Sequence, residues 1–208
     1  SIDLAADSLE ASDGSWLWIL HDDSAPEKNA LEQMLKTIEV SPSVAMVGPK
    51  LVNWDQPRII AQMGLSLTPL GNPISPYSAE LDQGQHDSLD DVFAIGTAGA
   101  LIRSNLYREL GGIDPNSPEL AADIDLSIRV RLAGHRVVLA PQAKVRHASL
   151  SLAGKRPKRW LKTSPRTALR RATIHLRLTH APLPVAILFW LLLEELSILR
   201  SLWHVASK

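Results

Sequence analysis

The sequence predicts an α/β fold with a mostly parallel sheet, followed by a helical C-terminal tail. Three observations carry this prediction. Over residues 14–150, short apolar runs bounded by Gly, Pro or Asp alternate with stretches whose apolar residues recur at helical spacing. The balance of charge reverses after residue 143. Residues 185–206 are mostly apolar and follow Pro182 and Pro184.

The elements follow in chain order. Residues 15–20 (SWLWIL) read as a buried strand whose carboxyl end runs into His21, Asp22 and Asp23. Ser24 reads as the N-cap of a helix, with Glu27 as its capping-box partner and Leu31, Met34, Leu35 and Ile38 as its apolar face. Residues 44–47 read as a second strand, stopped by Gly48 and Pro49. Residues 53–91 carry four prolines and a polar stretch at 80–91, which suggests a hairpin and a mobile loop. Residues 92–95 suggest a strand leading into the small-residue stretch GTAGA. A short helix over 103–110 is closed by Gly111 and Gly112, and a longer one over 123–133 by Gly134. Residues 136–139 read as a strand ended by Pro141, and residues 144–147 close the α/β part. The organisation is thus 1–150 for the α/β domain and 151–208 for a basic linker with amphipathic, membrane-associated helices.

Composition bounds the function. The chain has 208 residues, 45% hydrophobic and 21% charged, enough to bury a core. It opens on Ser1, with its first recognisable feature near residue 16, and reads as a piece of a longer protein. The absence of cysteine excludes a disulfide scaffold, a thiol nucleophile and a zinc–thiolate site. The net charge is zero, but residues 1–143 hold nine basic against twenty acidic side chains, and residues 144–180 hold eleven basic and no acidic ones. Such a split points to an anionic partner for the tail: phospholipid headgroups, a diphosphate or nucleic acid. Residues 185–206 would measure about 33 Å as a helix, at roughly 1.5 Å per residue. Glu194, Glu195, Arg200 and His204 interrupt that run. The polar stripe at 194, 197, 201 and 204 fits a helix lying on a membrane, or packed on a partner helix, better than a span.

Two sets of residues carry possible chemistry. Asp22 and Asp23 sit where a buried strand emerges, which is where open α/β sheets bind ligands. Adjacent carboxylates repel, and a hard cation such as Mg²⁺ or Mn²⁺ would stabilise them and bridge substrate phosphates. An Asp pair in a strand-to-helix loop is also an ordinary helix-start arrangement. Asp123 and Asp125 open a helix, where capping and dipole complementation explain them equally well. Arg129 lies four residues after Asp125, the spacing of an intrahelical ion pair. His147 gains meaning only as a third metal ligand.

The ordered series WLWILHDDSAP, GTAGALIRSNLYRELGGID, ADIDLSIRVRLAGHRV and PQAKVRH, spanning about residues 14–150, resembles family 2 glycosyltransferases. The HDDSAP form is similar to that of large actinobacterial members. The resemblance implies a partial GT-A fold, Rossmann-like, lacking the N-terminal nucleotide-binding strands. It implies an inverting, metal-dependent hexosyltransferase acting from a nucleotide-sugar donor, in cell-wall or surface polysaccharide or glycolipid synthesis. Residue by residue, it makes Asp123 the catalytic base and Asp23 and His147 the ligands of Mn²⁺ or Mg²⁺. It places His21, Asp22, Gly96, Gly99, Asp125 and Arg129 at the donor. The acceptor would be a saccharide or a lipid-linked saccharide, and the enzyme would sit on an anionic membrane at its cytoplasmic face.

The sequence departs from the family pattern at several points. His21 stands where the metal turn usually has its first carboxylate. Ala122 replaces the Glu before the base, and Ile113 replaces an aromatic residue. Residues 156–160 (RPKRW) match only the end of the Gln-x-x-Arg-Trp motif of processive synthases, so processivity is not implied. The 208 residues alone are expected to be inactive. An alternative from another class is a non-catalytic module that binds sugar nucleotide or lipid, and His21 is its best support. Nucleic-acid binding is disfavoured, because the basic segment has few aromatics and no recognised fold motif.

Overall fold

The structure, a computed structural model, describes residues 14–150 and 164–192. Its elements are β1 (Trp16–Trp18), β2 (Ser24–Pro26), α1 (Ala30–Glu39), β3 (Val44–Asn53), β4 (Ile59–Gln62), β5 (Ser66–Leu67), β6 (Pro73–Ile74), β7 (Glu80–Leu81), β8 (Leu101–Arg103), α2 (Ser104–Glu109), α3 (Glu119–Leu132), β9 (Arg136–His147) and α4 (Pro165–His180).

The spine is β3, whose first nine residues are all buried. On one edge it runs parallel to β9, from Val44 beside Arg136 to Asn53 beside His147. On its other edge it is antiparallel to β8 at Met46 and Val47 and to β4 at Leu51 and Val52. Antiparallel additions of β1 to β8, β7 to β4 and β2 to β9 complete a seven-stranded sheet. The α/β class is as the sequence reads. The sheet, however, is mixed: among the described residues only β3 and β9 pair in parallel. The reason lies in strand order. β1 and β3 do point the same way, as a strand–helix–strand unit requires, but β8 inserts between them and pairs antiparallel with both. The five residues between β3 and β4 are too few for a crossover and force a hairpin.

Burial on both faces explains why β3 is mostly apolar, Lys50 and Asn53 apart. One face packs Ala30 and Met34 of α1 against Val47, Leu51, Val138 and Val145. The other packs Leu126 and Val130 of α3, with Tyr107 of α2, against Met46, Ile60 and Val137. Leu35, expected on the buried face of α1, is instead 39% exposed. α4 joins the domain through Ala172 and Leu176, which pack with Ala121 and Ile124 of α3 and with Ala94.

Several local expectations are corrected. Ser24 is not a helix N-cap. It lies in β2, opposite His147, and α1 starts six residues later, after Asn29. Its hydroxyl instead closes the preceding turn, accepting from His21 N at 3.0 Å and donating to His21 O at 2.8 Å. Gly48 and Pro49 do not stop β3, nor does Pro141 stop β9. The register between these strands shifts from Pro49/Ala140 to Lys50/Lys144, an irregularity that absorbs both prolines. Residues 92–95 form no named strand; Leu65–Ala94 is an isolated bridge. The long helix begins at Glu119, so Asp123 sits in its second turn rather than at its start. The acidic stretch expected to be a mobile loop is pinned. Lys50, 1% exposed, holds Asp82 at 2.7 Å and Asp87 at 2.6 Å, and Lys144 holds Asp82 at 2.7 Å. Burial opposes the charge on Asp82, yet hydrogen bonds from Lys144 and Lys50 bring its pKa down to about 2.

Residues 183–192 continue as a helix with Leu183, Ile187, Leu188, Trp190, Leu191 and Leu192 exposed. No described helix is long and apolar enough to cross a membrane. The motif at 156–160 and the polar stripe at 194–204 lie outside the described residues.

Candidate active site

The site is built where β1 ends. The chain turns at His21–Ser24, and the 96–100 stretch runs alongside the residues just before that turn. Ile19 N donates to Ala100 O, Gly99 N donates to Ile19 O, and the Trp18 indole donates to Gly99 O, all within 3.0 Å. This approach needs glycine at 99. Its φ is +97°, and a Cβ there would stand 2.9 Å from Val145 and 3.0 Å from Pro49. The start of β2 then pairs with the end of β9. Because Ser24 lies opposite His147, the residue before it, Asp23, meets the His147 ring.

Asp23 is 7% exposed and held on two sides. Oδ1 lies 3.2 Å from His147 Nε2, and Oδ2 accepts from Leu150 N at 2.9 Å. His21 stands edge-on to His147, with ring centroids 5.5 Å apart. One ligand atom from each of His21, Asp23 and His147 falls within 4.8 Å of the others. Burial pushes the His147 pKa down, which favours the neutral imidazole that can donate a lone pair.

Asp123 faces this cluster from α3. It does so through Thr97, whose hydroxyl donates to Asp123 Oδ1 at 2.6 Å and lies 2.9 Å from His21 Nε2. Burial pushes the Asp123 carboxyl up, against the hydrogen bond from Thr97 and the neighbouring His21. His21, Asp23, Asp123 and His147 all line one cavity of about 390 Å³. The rest of its lining is mostly apolar, with Leu65, Pro73, Ile74, Leu120 and Leu169, though Gln62, Ser75, Ser78 and Glu119 also reach it.

The structure therefore brings together four of the sequence-predicted site residues: 21, 23, 123 and 147. The other five do not line this cavity. Asp22 is exposed on the turn. Gly96 stands behind the wall, where a Cβ would come within 2.9 Å of Gln62 Oε1 and 3.6 Å of Asp123 Oδ2. Gly99 serves the turn described above. Asp125 and Arg129 form the intrahelical pair that their spacing allows, at 2.7 and 2.9 Å. Arg129 also donates to Leu110 O and Gly112 O, and Asp125 meets His180 of α4 at 2.8 Å. Burial opposes the charge on Asp125, but hydrogen bonds from His180 and Arg129 hold its pKa down. The pair ties α3 to the 110–112 turn and to α4.

Sequence reasoning missed Thr97, Gln62 and His180. The one hydroxyl within Gly96–Gly99 was a legible signal for Thr97; the other two come from distant segments with no local mark.

Residues 5–170 match the family described as Glycosyltransferase like family 2. In sequence, no curated protein matches the chain. Among solved structures, the chain resembles GalNAc-T7 with UDP, GalNAc and Mn²⁺, at 16% identity and a TM-score of 0.51, over 70% of this chain and 29% of that one. A second neighbour is the mannosyltransferase PcManGT from Pyrobaculum calidifontis in complex with GDP-Man and Mn²⁺, at 14% identity and a TM-score of 0.44, over 90% of this chain and 56% of that one. The chain thus spans less than a third of the first neighbour and little over half of the second. The likeness to the first shows a fold of the GT-A kind. With the family matched over most of its length, the chain belongs to the family 2-like glycosyltransferases.

Proposed function

We propose that this chain carries the catalytic half of an inverting, metal-dependent glycosyltransferase that moves a sugar from a nucleotide-sugar donor to an acceptor hydroxyl. One observation carries the reading: a two-imidazole, one-carboxylate cluster and a separate half-buried carboxylate, Asp123, line the same cavity without touching. The donor set fits a divalent cation. His21, Asp23 and His147 would hold it and leave coordination positions open, and two imidazoles suit Mn²⁺ better than oxygen-seeking Mg²⁺. When bound, such an ion would offset the charge of a departing nucleoside diphosphate. Asp123, its proton affinity raised by burial, accepts the proton of the acceptor hydroxyl. The acceptor oxygen forms its bond to the anomeric carbon as the bond to the diphosphate oxygen breaks, and this single displacement inverts the configuration.

The apolar part of the cavity lining supports an acceptor with an apolar portion, such as a lipid-linked saccharide, in cell-wall or surface-glycan synthesis. The exposed Arg166, Arg170 and Arg171 of α4, followed by the apolar 183–192 helix, support docking on an anionic cytoplasmic membrane face. Asp123→Asn in the intact enzyme is expected to lower transfer by at least about 10²-fold, the scale of general-base catalysis, while nucleotide-sugar binding in the presence of Mn²⁺ persists. Retained turnover would refute the role of Asp123 and favour a binding module.

A further inference from the structure

Thr97 belongs to neither the cluster nor the cavity wall. It is 3% exposed and sits behind both, between Gly96 and Gly99. Its hydroxyl has one proton to give and lone pairs to receive with. The partner at 2.6 Å, Asp123 Oδ1, belongs to a carboxylate that in its ionised form can only accept, so the proton is committed there. The contact to His21 Nε2 at 2.9 Å must then run the other way, with the ring donating to Thr97. It follows that His21 carries its hydrogen on Nε2 and keeps its lone pair on Nδ1. The same hydroxyl pins one oxygen of Asp123 and leaves Oδ2, beside the bare backbone of Gly96, for the acceptor.

We infer that Thr97 is a positioning residue for both halves of the site. Its hydroxyl fixes the His21 tautomer that offers Nδ1 to a divalent cation, and it orients the carboxylate of Asp123. The inference rests on the cation-dependent reading above and extends it: the metal turn and the base helix are registered against each other by a single side chain. Groups of this kind, one shell behind the ligands, fix tautomer and ring direction, and their loss typically costs about 10–100-fold in metal affinity.

Two measurements on the full chain test this. Long-range ¹H–¹⁵N NMR of the metal-free protein above pH 7 is expected to show His21 as the Nε2–H tautomer; an Nδ1–H ring would overturn the inference whatever the variants do. Mn²⁺ titration read by electron paramagnetic resonance then compares Thr97→Val, which keeps the shape, with Thr97→Ser, which keeps the hydroxyl. Val is expected to weaken Mn²⁺ binding about tenfold or more and to lose one of two imidazole nitrogen couplings, while Ser stays near the parent. Parent-like binding by Val, or equal loss in Ser and Val, would contradict the role of the hydroxyl. A parent that binds no Mn²⁺ would sink the proposed function along with it.

Discussion

At the residue scale, the same side-chain types serve two ends in this chain. Asp23 and Asp123 converge on a cavity, whereas Asp82 and Asp125 are spent on holding the fold. Asp82 makes the difference measurable. Its folded pKa of about 2 lies below the ordinary value of 3.8, so its ionised form is stabilised by folding. That stabilisation is fully present above about pH 4 and is lost as pH falls towards 2, on the order of 2 kcal/mol in all. Denaturant midpoints of the parent and Asp82→Asn, measured from pH 6 to pH 2, are expected to converge at the acid end. A gap that stays constant over that range would show that Lys50 and Lys144 do not stabilise the ionised Asp82. Thr97 and Asp123 illustrate the opposite use of burial. There a carboxyl is desolvated with a neutral hydroxyl, that of Thr97, as a hydrogen-bond donor, and its proton affinity rises.

At the element scale, what was legible in the sequence depended on whether the determinant was local. The apolar run ending in acids marked β1 and its turn, and positive-φ glycines at 111, 112 and 134 marked the ends of α2 and α3. The Asp125–Arg129 pair was legible from spacing alone. Ser24 was misread because its fate is set by residue 147, more than a hundred positions away, which draws it into a strand. Pro49 and Pro141 were misread as terminators because their strands shift register at the same place, so neither proline interrupts the pairing beyond it. Asp123 was placed at a helix start because Pro118, the residue that caps the helix, precedes it by more than a turn. The tail offers its own test. α4 buries Ala172 and Leu176 while Arg166, Arg170 and Arg171 face outward, and the next helix exposes Leu188 and Trp190. The intact protein is expected to co-sediment with vesicles containing anionic lipid and to release from them as salt rises past a Debye length of about 8 Å. Equal binding to neutral vesicles would remove the electrostatic reading of this surface.

At the scale of the whole molecule, the site exists because three long-range pairings coincide. β1 lies on β8, β2 lies on β9, and α3 packs under β3. Together they carry residues 21, 23, 97, 123 and 147 to one end of the sheet. None of those pairings is readable from a local window; residues 21, 23 and 147 were legible because they sit at strand ends or in the turn that follows, and Asp123 because it lies early in a patterned helix, whereas Thr97 was missed. The donor half of the site follows the same logic only if the His21, Asp23 and His147 cluster holds a cation. Calorimetric titration of the intact protein with Mn²⁺ and a nucleoside diphosphate, for the parent and for His147→Ala, measures this directly. Metal-dependent nucleotide binding in the parent, weakened by at least about tenfold in the variant, is the expected result. Nucleotide binding indifferent to Mn²⁺, or unchanged by loss of His147, would contradict it.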